Sequence, residues 1–412
     1  MHKKLKILLT LCYKSYNMNL EIKKNFSELA KNKKNFHNAY KNWEVLMANN
    51  IQSIDANMSC NTQGSYNGIR WIKPYEWPLR LSGFEYFETD KIYRRLPLDK
   101  KALFETVNNN LNILSEDTAG GQVAFRTNST KILIKAKNII GHDMVNMTAS
   151  GQCGFDCYIG QNDERLKFYG ITKFDIKEKE YECEIVSNLK ADNVRDVLIN
   201  FPLYDGVSEV EIGVEEDSIV LPPKPFDAPG KIIFYGTSIT QGGCATRPGM
   251  AYTNILSRWL NREVINLGFS ANGLGEYEMA ELIADIHDAS FIVLDYEANS
   301  GTNGRLEASL VGFIDIIRKK HPNIPILVVS RIQYLADFYD EQLLSRRNEL
   351  REFQAKVVEE KKKQGDEHIY FLNGHELLDD YFDEYTVDFI HPTDLGFWKM
   401  AEGFYKVIKK LL

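Results

Sequence analysis

A chain of 412 residues, 44% hydrophobic and 26% charged, is long enough to bury more than one core, yet no stretch approaches the roughly 18 apolar residues of a membrane span. Its formal net charge of −7 argues against nucleic acid as the main partner, because phosphate binding needs a basic face. Six cysteines over this length make no disulfide framework, so reduced thiols and a cytoplasmic setting are expected.

The N-terminus, MHKKLKILLTLCYKS, starts basic, but its apolar run is short and no small-residue cleavage site follows, so it is not read as a secretory signal. Phe26, Leu29, Phe36, Tyr40 and Trp43 recur near helical spacing, and residues 1–70 are expected to form a helical or partly disordered arm. From Trp71 the rhythm shortens. Phe84–Glu88, Lys91–Arg95, Gln122–Arg126, Lys131–Ala136, Gly154–Ile159, Tyr181–Ile185, Val197–Phe201 and Val207–Val214 read as strands between turn residues, predicting a β-sandwich of jelly-roll kind over 71–220. Cys153, Cys157 and Cys183 lack a fourth ligand at metal-site spacing and are expected as buried thiols. The proline-rich stretch 221–230 reads as a stiff linker.

Over 231–412 strands alternate with helices. The strands are Ile232–Tyr235, Val264–Leu267, Phe291–Asp295, Ile324–Ser330 and His368–Leu372, with helices near 250–261, 275–287, 304–320, 341–363 and 394–411. Such alternation builds an α/β domain, a parallel sheet with helices on both faces, whose ligands bind at the carboxyl ends of the strands. Ser238 follows the first strand there and is a candidate nucleophile. The loop after the second strand, Gly268-Phe269-Ser270-Ala271-Asn272-Gly273, offers backbone N–H groups, and the third loop carries Asn299. After the fifth strand, Asp388 precedes His391 by three residues. Nucleophile, donors and base thus fall at one sheet edge.

This combination resembles the SGNH (GDSL-like) hydrolases. Gly236-Thr237-Ser238-Ile239 stands where that family has Gly-Asp-Ser, and Asn266-Leu267-Gly268-Phe269-Ser270-Ala271 resembles its second block with Ala271 at the usual glycine. An alanine there keeps the backbone donor if its φ is negative. Asn299 resembles the third-block asparagine, and Asp388 with His391 matches Asp-x-x-His. The resemblance implies a flavodoxin-like domain in which Ser238 attacks and His391, oriented by Asp388, is the base. Its oxyanion hole would be the Ser238 and Ala271 N–H groups with the Asn299 amide. Upstream, Gly154-Phe155-Asp156-Cys157-Tyr158 is similar to the Gly-x-Asp-Leu-Tyr signature of a β-domain that precedes one subgroup, as are Tyr93-Arg94-Arg95-Leu96-Pro97 and Phe201-Pro202-Leu203-Tyr204-Asp205-Gly206. Members of that kind resemble carbohydrate acetylesterases, with the β-domain lending one wall to the site. The implied reaction removes a small acyl group, acetyl above all, from a small-molecule ester such as an acetylated sugar, with no metal or organic cofactor.

Rival readings remain. Ser270 sits in a near match to the Gly-x-Ser-x-Gly nucleophile elbow, which lacks its second glycine. Arg247 either grips a substrate oxygen or pairs with a carboxylate. The same site could transfer acyl groups to another alcohol, revealed by a new ester when a sugar acceptor is added. A non-catalytic carbohydrate-binding protein would bind sugar without fluorophosphonate labelling of Ser238. A lipase would need an apolar lid, and no long apolar segment supplies one.

Overall fold

The computed structural model describes residues 55–60, 66–138, 141, 144–161, 164–175, 177–191 and 193–412. The chain divides into a unit before Asn61 and a compact unit from Asn61 to Leu412. Of the first, a single 3₁₀ turn, Ala56–Met58, is described; residues 1–54 and 61–65 of the expected N-terminal arm lie outside the described residues, and Ile69 and Arg70 at its end already belong to a strand.

In the second unit, antiparallel strands come first: β1 (Ile69–Ile72), β2 (Arg80–Ser82), β3 (Gln122–Thr127), β4 (Ile132–Asn138), β5 (Asp156–Gly160), β6 (Lys167–Ile171), β7 (Glu180–Val186), β8 (Arg195–Asn200), β9 (Val207–Glu215) and β10 (Val220–Leu221). They form two sheets. One has the order β1-β9-β4-β7 and the other β10-β3-β8-β5-β6, with β2 also on β3. Alternate residues of both, among them Ile134, Ile212, Phe125, Cys157 and Ile199, close on one core. Every residue of β5 is buried, which a half-exposed antiparallel strand would not show. Cys157 and Ile159 face the sandwich core, while Asp156 and Tyr158 meet the α/β layer behind it. The expected strands Phe84–Glu88 and Lys91–Arg95 do not form. Phe87–Asp90 is a helical turn ended by Lys91 at φ 55°, because Phe84, Phe87 and Tyr93 pack as an aromatic cluster rather than alternating across a pleat. Helix α1 (Lys101–Leu114), interrupted at Asn108, was not expected, nor was β6, an edge strand too exposed to show alternation.

The α/β layer has β11 (Lys231–Gly236), α2 (Tyr252–Leu260), β12 (Val264–Gly268), α3 (Tyr277–Ala284), β13 (Ala289–Asp295), α4 (Arg305–Lys320), β14 (Ile326–Val329), α5 (Glu341–Lys363), β15 (Ile369–Leu372) and α6 (Asp394–Leu411). All pairings are parallel, in the order β12-β11-β13-β14-β15. This is the flavodoxin-like order, and its switch point lies at β11, from which the chain leaves toward β12 on one side and β13 on the other. The unbroken apolar run of β11 follows from burial on both faces. Ile232 and Phe234 join a core with α2 and α6, whereas Ile233 and Tyr235 join another with α3, α4 and α5. Each such fully buried side chain contributes about 1.5–3 kcal/mol relative to exposure. No helix among the described residues is long and apolar enough to cross a membrane.

Candidate active site

Beyond β11 the chain must turn sharply, and the turn presents Ser238. Gly236 pairs with Gly268 on one side and Asp295 on the other, and a Cβ on it would come within 2.0 Å of Thr240 Oγ1 and 2.6 Å of the Asp295 carbonyl oxygen. Thr237 is extended (φ −108°, ψ −160°) and caps the helical turn Ser238–Gln241 by accepting from the Ile239 N–H at 3.3 Å. Ser238 is therefore the first helical residue, where a backbone N–H has no partner inside the turn. Gly242, at φ 112°, ends the turn, and the N–H groups of Gly242 and Gly243 return to the Ser238 carbonyl at 3.0 and 2.8 Å. A Cβ on Gly243 would stand 3.2 Å from His391 Cδ2 and 2.7 Å from the Tyr204 hydroxyl, so a bare backbone there lets the imidazole lie over the turn.

His391 comes from the loop between β15 and α6. The Val387 N–H donates to the His391 carbonyl at 2.8 Å, and Thr386 bridges Pro392, which closes the loop. Inside it, Asp388 Oδ1 accepts from the N–H groups of Ile390 (3.2 Å) and His391 (2.8 Å), with Phe389 at φ 59° to make the tight turn. Asp388 Oδ2 lies 2.8 Å from His391 Nδ1, and His391 Nε2 lies 2.8 Å from Ser238 Oγ. Burial pushes the Asp388 carboxyl up, but the His391 N–H, the imidazole and Asn146 outweigh it and hold it below its ordinary value. A carboxylate can only accept, so Nδ1 carries the proton and Nε2 is left to accept from the serine hydroxyl.

The loop after β12 is pressed against the nucleophile turn. The Phe269 N–H donates to the Gly236 carbonyl at 3.1 Å, and a Cβ on Gly273 would come within 2.1 Å of that oxygen. The Asn299 amide donates to the Asn272 carbonyl at 2.6 Å, which places it against the same loop, one residue beyond Ala271. Among the described residues neither the Ser238 nor the Ala271 N–H has an acceptor. The negative φ expected at Ala271 is not found. Its φ is 54°, a left-handed conformation that costs an L-residue roughly 1–2 kcal/mol, so the position keeps the geometry of the usual glycine and carries strain. Ser270 is occupied otherwise, its N–H donating to Gln241 Oε1 at 3.0 Å and its hydroxyl bonding Tyr204.

Residues 230–409 match the GDSL-like Lipase/Acylhydrolase family, and residues 69–220 match the GxDLY domain described as the N-terminus of Esterase_SGNH_hydro-type. A protein from Bacteroides ovatus described as a GDSL-like lipase is 32% identical, with 83% of this chain and 98% of that one covered and a TM-score of 0.74. The chain belongs to the GDSL-like lipase/acylhydrolase family. It is a carboxylic ester hydrolase. The fold is shared with a salicylyl-acyltransferase from a tetracycline biosynthetic pathway (22% identity, 84% and 98% coverage, TM-score 0.66). It is also shared with a family two carbohydrate esterase from Clostridium thermocellum (17%, 71% and 92%, TM-score 0.51). Among curated proteins none matches the chain.

In this GDSL-like acylhydrolase the sandwich reaches into the site through residues that sequence reasoning missed. Asn146 donates its amide to Asp388 Oδ2 at 2.8 Å, and the Tyr204 hydroxyl lies 3.4 Å from the Ser238 carbonyl. Arg95, fully buried, donates to the Gly268 carbonyl, lies 4.6 Å over the Phe269 ring, and is drawn down to about 10 by burial. Asn108 leaves helical geometry so that its amide reaches Asn272 and Glu276, both at 3.0 Å. Tyr204 and Arg95 stand inside motifs quoted above, whereas nothing around Asn146 marks it. Arg247, left open between a substrate contact and a carboxylate pair, makes the carboxylate pair. It pairs with buried Asp156 at 3.0 Å, donates to Tyr158 and lies 3.7 Å over Phe168, so the structure places it in the joint between the two layers.

Cys244, Asp388 and His391 form the one group of metal-type ligands among the described residues. A metal would need the thiolate. Burial and then the Asp388 charge push the Cys244 thiol up to about 12, and the other two groups are engaged with each other. Cys153, Cys157 and Cys183 are buried thiols.

Asp295, at the end of β13, accepts from the Tyr252 hydroxyl at 2.9 Å and from Thr240 at 3.4 Å. Burial pushes its carboxyl up to about 7. The folded protein then keeps a proton that the unfolded chain releases above about pH 3.9, so wild-type stability declines as pH rises from about 4 to about 7. Asp295→Asn retains an acceptor for both hydroxyls without that decline. Relative to wild type, its Tm should be higher at pH 8 than at pH 5, by an amount on the order of a few kcal/mol in stability. Equal differences at the two pH values would mean that Asp295 is ionised in the fold.

Proposed function

We propose that the enzyme removes a small acyl group, acetyl above all, from a hydroxyl of a carbohydrate through an acyl-serine. Ser238 attacks the ester carbonyl as its proton passes to His391 Nε2, and Asp388 keeps the imidazole in the accepting tautomer and balances its charge. The oxyanion rests on the Ser238 and Ala271 N–H groups and on the second amide hydrogen of Asn299. The alcohol leaves with the proton from His391. Water, deprotonated by the same imidazole, then frees the acid. The observation that carries this reading is the unbroken relay from Ser238 Oγ through His391 to Asp388, with both contacts at 2.8 Å.

Small residues around the nucleophile, Gly236, Thr237, Gly242, Gly243 and Ala271, support a short acyl group. Val145 and Phe389 are exposed beside the Asn146–Asp388 bond, and an aromatic face at that rim suits a sugar ring. The test is a hydrolysis screen across acetylated sugars and 4-nitrophenyl esters of rising chain length. Turnover should be fastest with acetyl and should drop from butyryl onward, and a maximum at octanoyl or longer would overturn the short-acyl reading. Asn299→Ala should lower kcat by roughly 10²–10³ with KM little changed, because the lost donor acts on charge that develops after binding. A loss under threefold would assign the oxyanion to the two backbone donors alone.

A further inference from the structure

The helix between two parallel strands runs back along the sheet, so the last turn of α2 lies at the amino-terminal rim, opposite Ser238. There a cavity of about 330 Å³ opens between the sandwich, the linker and α2. Its size is at the lower end of ligand pockets, which run from about 300 to 1,000 Å³, and it sits at a domain joint, where such pockets concentrate.

The charges around it do not cancel. Arg80, Arg165 and Arg258 all line it, together with Lys224, Asp196 and Glu164. Each of the two carboxylates is already taken: Asp196 by Lys224 Nζ at 2.7 Å, and Glu164 by Lys167. Among the described residues none of the three guanidinium groups has a carboxylate within ion-pair distance. Arg80 donates to the Lys224 carbonyl at 2.8 Å and lies 3.8 Å over the Phe226 ring, while its buried Nε has no partner among the described residues. Arg258 donates to carbonyls of its own helix and of Gly249 and to the Tyr158 hydroxyl, and rests 3.9 Å over the Tyr158 ring. Burial draws both Arg80 and Arg258 below the ordinary arginine value, outweighing the charges of Glu263 near the first and Asp156 near the second, neither of which comes within ion-pair distance. Arginine does not give up its proton in a protein, so the cost is relieved by an anion whose oxygens match the guanidinium fork. In a chain of net charge −7 such a local excess of cation is a specific feature. Leu166, Leu198 and the Phe226 ring supply apolar walls for the body of a compact ligand.

We infer that this cavity is a second binding site, separate from the ester-cleaving centre, for a small molecule bearing a phosphate or carboxylate group. Arg80 and Arg165 hold the oxyanion, and the walls admit a body of about monosaccharide size.

The test is calorimetric titration of the full chain with inorganic phosphate, glucose 6-phosphate and glucuronate at one ionic strength. At least one should bind saturably. Binding should weaken about tenfold or more in Arg165→Gln and in Arg80→Gln, as expected for loss of a charge-assisted hydrogen bond. In both variants kcat on an acetyl ester should match wild type, which also reports that they fold. Phosphate binding as tightly as the sugar acids identifies a free-ion site, and tighter binding of either organic probe identifies a metabolite site. The inference is overturned if no probe binds saturably, or if Arg165→Gln, whose exposed side chain is not needed for folding, binds as wild type does.

Discussion

Ser238→Ala is expected to lower kcat on 4-nitrophenyl acetate by about 10⁶, the loss seen when a serine nucleophile is removed from a comparable triad. Among the described residues the side-chain oxygen has one partner, His391 Nε2, and the turn that carries it is capped by Thr237. The substitution therefore removes the attacking atom while leaving Asp388, His391 and the backbone donors in place, and Tm and circular dichroism should be unchanged. Fluorophosphonate labelling should disappear with the activity. Residual hydrolysis above the uncatalysed rate is compatible with this account, because the oxyanion donors remain. A variant keeping a tenth of wild-type kcat would leave the nucleophile unassigned, and Ser270 is no substitute, since its hydroxyl faces Tyr204 and no histidine.

The catalytic half was legible because each of its signals is local. The run Lys231–Tyr235 must be a strand covered on both faces, and only a turn can follow Gly236, so Ser238 had to lie at the carboxyl rim. Asp388 and His391 are three residues apart, within one loop, and their contact is decided by that loop alone. What escaped has long-range causes. Asn146 matters through a residue 242 positions away, and Arg95 through carbonyls 171 and 173 away, distances over which no periodicity carries information. The strand expected at Lys91–Arg95 failed for the same reason: the two arginines are buried for their guanidinium contacts, not for a pleated face. Arg247 could be read either way because an arginine in a loop tells nothing of its partner, and Asp156 lies in the other layer.

Backbone strain is concentrated where the chemistry is. Of the six non-glycine residues at positive φ among the described residues, three are Cys244, Ala271 and Phe389, one in each of the loops that carry Ser238, Ala271 and His391. Each conformation costs on the order of 1–3 kcal/mol and persists because surrounding bonds over-determine it. Arg95, on the Gly268 carbonyl and the Phe269 ring, and Gln241, on the Ser270 N–H, grip the start of the Ala271 loop, while Asn146 and the Asp388 carboxylate grip the Phe389 turn. Residues that precede the α/β layer thus stand behind both the loop of Ala271 and the Asp388 carboxylate.

Asp388→Asn puts that coupling to the test. Four donors converge on this carboxylate: the Ile390 and His391 N–H groups on Oδ1, and His391 Nδ1–H and the Asn146 amide on Oδ2. An asparagine has one accepting oxygen. If it serves the turn, its NH₂ faces the imidazole, and Nδ1 must then accept. The ring proton moves to Nε2, and Ser238 loses its base. Loss of kcat by about 10⁴ is expected, as for the equivalent change in a serine protease triad, with KM little affected and fluorophosphonate labelling slowed in proportion. Stability carries a separate signature. The wild-type carboxyl lies below its ordinary value, so its contribution is full above the range of an unfolded aspartate and is lost as the pH falls through the lower, folded value. The Tm deficit of Asp388→Asn should accordingly be present at pH 7 and shrink toward pH 3. A tenfold loss of kcat or less would mean that the imidazole keeps its tautomer without the carboxylate, with Asn146 and the turn alone holding the ring.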